Sequence, residues 1–214
     1  MEYVVRTYRA IMAIAIIAAI VAQLISSNAG GRLDTGNFFS YFTIQSNLIG
    51  AAVLGYGAIR PDRNSLRWDS IRGAATTYLF TTGVVFALLL SNLAAQVGTT
   101  MPWVNSVLHQ VSPVVIFLDW LIRPPRHQVG FPKVWLWLAY PIAWLIYTLI
   151  RGGIVDWYPY PFVDPRADGW GHVVKSCFAI AIGIIGFVFI VVWAGNSARR
   201  RYARLSPDSA GSGF

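Results

Sequence analysis

Charge is scarce in this chain of 214 residues: 12% are Asp, Glu, Lys or Arg, about half the ~25% of an average soluble domain. Set against 56% hydrophobic residues and a mean hydropathy of +0.53, that leaves too little polar surface to clothe a water-soluble fold. The composition is that of an integral membrane protein. Cysteine is scarcer still. The one thiol, Cys177, cannot close an internal disulfide and sits in an apolar run, which excludes a secreted disulfide scaffold and gives thiol redox chemistry no footing. No internal repeat and no soluble domain interrupt the chain. The net charge of +8 does not point to nucleic acid, because the basic residues fall in the gaps between apolar runs instead of forming one contiguous face.

What is abundant is apolar length. A bilayer core about 30 Å thick takes about 20 apolar residues per helix. Six stretches of the chain suffice: Thr7 to Ile25, Asn37 to Ala58, Gly73 to Ala95, Trp103 to Ile122, Val134 to Ile150 and Val173 to Ala194. The expected fold is therefore all-α and polytopic, a six-helix transmembrane domain over residues 1–197 followed by a basic and then disordered tail over 198–214. Thirteen Lys and Arg lie in the N-terminus, the second and fourth loops and the tail, against four (Arg32, Arg151, Arg166 and Lys175) on the other side. Basic loops resist translocation, so both termini are expected in the cytoplasm. The first run exceeds a signal-peptide core and is kept as a span. Trp103, Trp135, Trp137, Trp157, Trp170 and Trp193 near span ends read as headgroup anchors. The loop over residues 152–171, rich in Pro and aromatics, reads as a compact lid.

Polar residues inside spans are the informative ones, since each is costly without a partner or a task. The second span opens with Thr43, Gln45, Ser46 and Asn47, and helical spacing stacks Asn47 beneath Thr43. Thr43 would lie about 9 Å below the start of its helix and His109, six residues in from Trp103, at about the same depth. Asn105, His109, Ser112, Ile116 and Asp119 share one face of the fourth span. Asn92, Tyr147, Arg151, His172 and Lys175 fall toward the same side, and together they suggest a polar cavity opening outward. The plainer readings are that Thr43 bonds its own helix backbone, that Asn47 and Gln45 glue helices together, and that Lys175 and Arg151 are interfacial anchors. Asp119, four residues before Arg123, reads as its ion-pair partner, and His127 is a loop residue with no role.

In the segments FFSYFTIQSN, LHQVSPVVIFLDWLI, YPIAWLIYTLIRG and YPYPFVD the chain resembles a bacterial family of six-pass membrane proteins, over about residues 5 to 195. That family in turn resembles the eukaryotic androgen-induced and androgen-dependent TFPI-regulating proteins. The resemblance implies a multi-pass hydrolase of esters between fatty acids and hydroxy fatty acids, with an intramembrane Thr nucleophile and a His. Those roles would fall on Thr43 and His109. The chemistry is coherent on its own terms: a threonine attacks an ester only with a base in hydrogen-bonding reach, and a neutral imidazole can accept its proton and pass it to the leaving alkoxide. Asn47, Gln45, Asn92 and Ser112 are candidates to stabilise the oxyanion or support the pair, and Lys175, Arg151, Tyr147 and His172 to bind substrate. The expected partners are lipid or fatty-acyl esters and membrane lipids, with no nucleic acid, metal or cofactor, in a cell membrane read as a bacterial plasma membrane. Two other readings stand beside this one: a small transporter or lipid-binding protein, and a b-type haem held by His109 and His172.

Overall fold

The computed structural model describes residues 2–92, 101–130 and 134–205. The end of the third expected span (residues 93–95), Lys133 and the tail at 206–214 lie outside them. The described chain is helical, without a strand, and six of its helices are long and apolar enough to cross a membrane. In chain order these are α1 (Glu2–Ala29), α3 (Phe42–Ile59), α4 (Leu66–Leu90), α5 (Pro102–Ile122), α6 (Trp135–Val155) and α7 (Pro165–Leu205), with a short α2 (Thr35–Ser40) ahead of α3. Local chemistry sets several ends. Asp34 caps α2 through the Asn37 amide at 2.8 Å, and Ser65 caps α4 through the Trp68 amide at 3.2 Å. Apolar side chains such as Ile14, Ile146 and Phe178 face outward, as lipid-facing positions should.

The second span differs from the expectation. It is broken at Tyr41, whose extended backbone (φ −66°, ψ 129°) separates α2 from α3. Thr43 therefore sits in the first turn of α3, not about 9 Å down a continuous helix. The Ser40 carbonyl left over by the break accepts from Trp144 Nε1 at 2.9 Å, which fastens the break to α6. The sixth helix is longer than expected and contains a non-helical residue, Gly169, at φ 74°.

The helices alternate in direction, so the start of α1, end of α3, start of α4 and end of α5 meet at one end of the bundle. There Asp119 pairs with Arg9 and Arg72 and not with Arg123, correcting the helical-neighbour expectation. Arg9 Nη2 donates at 3.1 Å and Arg72 Nη2 at 3.0 Å, and the Tyr8 hydroxyl adds a third donor. Arg123 serves instead through its carbonyl, which accepts from Arg72 at 2.6 Å. His127, given no role from sequence, donates its backbone N–H to Asp69 at 2.9 Å and sets Nδ1 3.0 Å from the same oxygen. Trp137 is a further correction. It is buried and no headgroup anchor: its indole donates to Ser70 at 2.9 Å and its ring fills the space beside Gly73, where a Cβ would lie 2.3 Å away.

Candidate functional site

At the opposite end, Thr43 Oγ1 lies 3.3 Å from His109 Nε2 and 3.3 Å from the Tyr160 hydroxyl. Three separate segments supply these groups, and the sequence explains each placement. Breaking the helix at Tyr41 puts Thr43 where backbone amides have no partner within the helix. Its own N–H donates to the Tyr160 hydroxyl at 3.2 Å, so a loop tyrosine performs the capping task. The plain reading of an intramembrane threonine describes α4 instead, where Thr76, Thr77, Thr81 and Thr82 each donate to the carbonyl four residues back at 2.8–3.1 Å.

His109 stands in a π-helical stretch, Val107–Val111, just ahead of Pro113. There the Ser112 amide reaches back to Val107, which releases the Leu108 carbonyl from the usual ladder. Asn47 Nδ2 takes that carbonyl at 3.0 Å while also donating to Thr43's own carbonyl at 2.9 Å. Ser112 completes the arrangement by donating to Asn47 Oδ1 at 2.6 Å. One buried amide thus joins the backbones on which the hydroxyl and the imidazole ride. The His109 ring is stacked on Phe86, centroids 4.0 Å apart, and Phe86 opens the second π-helical stretch, Phe86–Leu90. Gly83 lets the helices approach here, since a Cβ would meet Pro113 at 3.0 Å.

The hydrogen bonds fix the tautomer. His109 Nδ1 is 3.2 Å from the Asn105 carbonyl, which can only accept, so Nδ1 carries a proton, and a neutral ring then turns the lone pair of Nε2 toward Thr43. The Tyr160 oxygen, accepting from the Thr43 amide, is free to donate its own proton to Oγ1. Burial pushes the Tyr160 phenol up to about 12, so it remains a proton donor at neutral pH.

Tyr160 was not singled out in the sequence. Its signal was the YPYPFVD segment itself: prolines on both sides hold the loop extended, and the ring packs with Trp144 and Phe162 in a cluster with Phe42, Tyr78 and Val163. The ends of the lid are tied by Arg166, which donates to the Asp156 carbonyl at 2.6 Å and to Asp164 Oδ2 at 2.6 Å. Gly152 receives the Tyr158 ring, where a Cβ would lie 2.1 Å away.

Two cavities meet at the pair. A polar one of about 380 Å³ is lined by Arg32, Asn37, Asn105 and His109 among others; an apolar one of about 210 Å³ lies between α4, α6 and α7. Thr43, Leu90 and Tyr160 line both.

The remaining expected site residues are distributed differently. Gln45 spans from the Phe39 carbonyl (2.8 Å) to the Tyr140 hydroxyl (3.1 Å), while Asn92 is exposed and lines neither cavity. Tyr147 bonds Ser40 at 2.9 Å and Arg151 lies over the Trp157 ring at 5.6 Å, and neither lines a cavity. Lys175 and His172 are exposed on α7, His172 beside Ser176 at 3.3 Å, and neither lines a cavity with His109. The two histidines therefore share no cavity. Among the described residues no cluster of three metal-ligating side chains occurs. Comparison with protein-family models, curated proteins and solved structures returned no match.

Proposed function

We propose that this multi-pass membrane protein is an intramembrane hydrolase of lipid esters, with Thr43 as nucleophile and His109 as base. The observation that carries the reading is the orientation of the pair: Nε2 faces the threonine hydroxyl at 3.3 Å while Nδ1 is anchored on a carbonyl, which in a neutral ring leaves Nε2 to accept. That distance is slightly longer than a working hydrogen bond, as resting sites often are before substrate tightens them. In the proposed sequence, the Thr43 hydroxyl gives its proton to Nε2 as Oγ1 bonds to the ester carbonyl carbon. The tetrahedral intermediate then expels the alkoxide, which takes the proton from His109. Water gives a proton to the same imidazole as its oxygen bonds to the acyl-threonine carbonyl carbon, and the departing Thr43 oxygen takes that proton back as the carboxylic acid is released.

The negative charge on the carbonyl oxygen needs a donor held in place. Asn47, an expectation from sequence, has both amide protons engaged on the Thr43 and Leu108 carbonyls, so it acts as support. Tyr160 takes the oxyanion role. An oxygen attached to the carbon that Oγ1 attacks falls within reach of a hydroxyl 3.3 Å from Oγ1, and the start of α3 adds the positive end of a helix dipole. By the asymmetry of basic loops we place both termini in the cytoplasm of a bacterial cell, with the pair near the outer surface of the plasma membrane.

The test is ester cleavage by purified protein in detergent, with Thr43→Ala and His109→Ala each expected to lower kcat at least about 10³-fold while Tm is unchanged. A Thr43→Ala variant with normal turnover would remove the mechanism, and absence of turnover across chain lengths in the wild type would favour a lipid-binding or transport role.

A further inference from the structure

The two cavities at Thr43 differ in chemistry: Arg32, Asp34, Asn37, Asn105 and His109 line one of them and not the other. We infer that they divide an ester between them: the acyl chain lies in the apolar cavity, entering sideways from the bilayer between α6 and α7, and the polar alcohol half and the hydrolytic water occupy the polar one. This rests on the hydrolase reading and adds to it a direction for the substrate and a route of entry.

The walls of the apolar cavity argue for the chain. Its polar contributors beyond Thr43 and Tyr160 include Thr81 and Thr82, whose hydroxyls are spent on carbonyls of their own helix. A polar alcohol placed there would lose its hydration with little in exchange. An acyl chain passing in from lipid exchanges one apolar surrounding for another and has no hydration to lose. The route follows from packing: α7 lies along α4, on the loop segment Pro161–Val163 and against the first turn of α6 at Trp135–Leu138, and beyond that turn it makes little contact with the rest of α6. Ile142 of α6 and Ala181 of α7 both line the cavity and are exposed at its rim, which marks the slot between these helices as its mouth. The polar cavity carries Arg32, Asn37 and Asn105 and shares its inner wall, Thr43 and Tyr160, with the apolar one. A carbonyl carbon at Oγ1 thus has its chain on one side of the Tyr160 ring and its alkoxide, next to the His109 proton, on the other.

The experiment uses full-length protein in detergent with two readouts. Ala181→Trp narrows the mouth, and the ratio of kcat/KM for p-nitrophenyl laurate over p-nitrophenyl acetate should fall about tenfold or more, the scale on which apolar pockets discriminate by size. Palmitate should slow modification of wild-type Cys177, the chain's one thiol, by N-ethylmaleimide, because Cys177 lines the same cavity. An unchanged ratio together with an unprotected Cys177 overturns the inference. If the wild type cleaves no ester yet palmitate shields Cys177, the hydrolase reading falls while the cavity stands as an acyl-chain site.

Discussion

The bundle buries polar groups at both ends and treats them in opposite ways. At the Asp119 end, Arg9, Arg72, Asp69 and Asp119 are each under a tenth exposed, their charges cancel, and bonds to Tyr8 and to the Gly57 and Arg123 carbonyls complete the set. At the Thr43 end the groups are uncharged, their mutual distances are longer, and open volume adjoins them on two sides. Charges buried in a low-dielectric interior must be matched closely or they unfold the structure. A neutral hydroxyl and imidazole can be left loosely bonded, and a loosely bonded pair beside a cavity can meet a substrate. The contrast distinguishes polar residues that hold the helices from polar residues available for chemistry.

The strongest way to break the comparison is at the charged end. Asp119→Ala leaves Arg9 and Arg72 buried without their carboxylate and should cost about 3–5 kcal/mol, read as a lowered Tm in detergent. Turnover per folded molecule should stay near wild type, because Asp119 is ten residues, about 15 Å, along α5 from His109. Loss of kcat without loss of Tm would contradict the division of labour. Next in size, Tyr160→Phe removes one hydroxyl and keeps the ring. It should lower kcat about 10²-fold with little change in KM, and an unaltered kcat would reduce Tyr160 to a cap on α3.

The smallest effect belongs to the lid. Hydrogen bonds from the Arg166 side chain, outweighing partial burial, hold the Asp164 carboxyl below its ordinary range. A depressed carboxylate contributes stability at neutral pH that is lost as pH falls below about 4. Wild type should therefore lose more Tm than Asp164→Asn between about pH 6 and pH 3, by a margin that salt reduces, since the Arg166 side chain is exposed.

Much of this molecule is legible in its sequence. The Asn105 to Asp119 stripe can be aimed inward because its spacing is regular, but the depth of Thr43 cannot be counted by helical rise, because the break at Tyr41 interrupts the helix. The partners were another matter. Asp119 had a basic neighbour one turn away, yet Arg9, distant by 110 residues in sequence, reached it first. Asn47 looked like an oxyanion donor until the π-helical stretch at Val107–Val111 released a carbonyl that claimed it. Tyr160 was one aromatic among many in the lid.

The amino-acid sequence by itself determined the number of spans and which polar residues share a helix face, because these depend only on apolar length and the geometry of one helix. Only the tertiary structure decided which group faces which. The break at Tyr41, the π-helical turn before Pro113 and the insertion of Tyr160 each answer an unpaired backbone amide or carbonyl, and where those arise depends on how separate helices come to rest against one another.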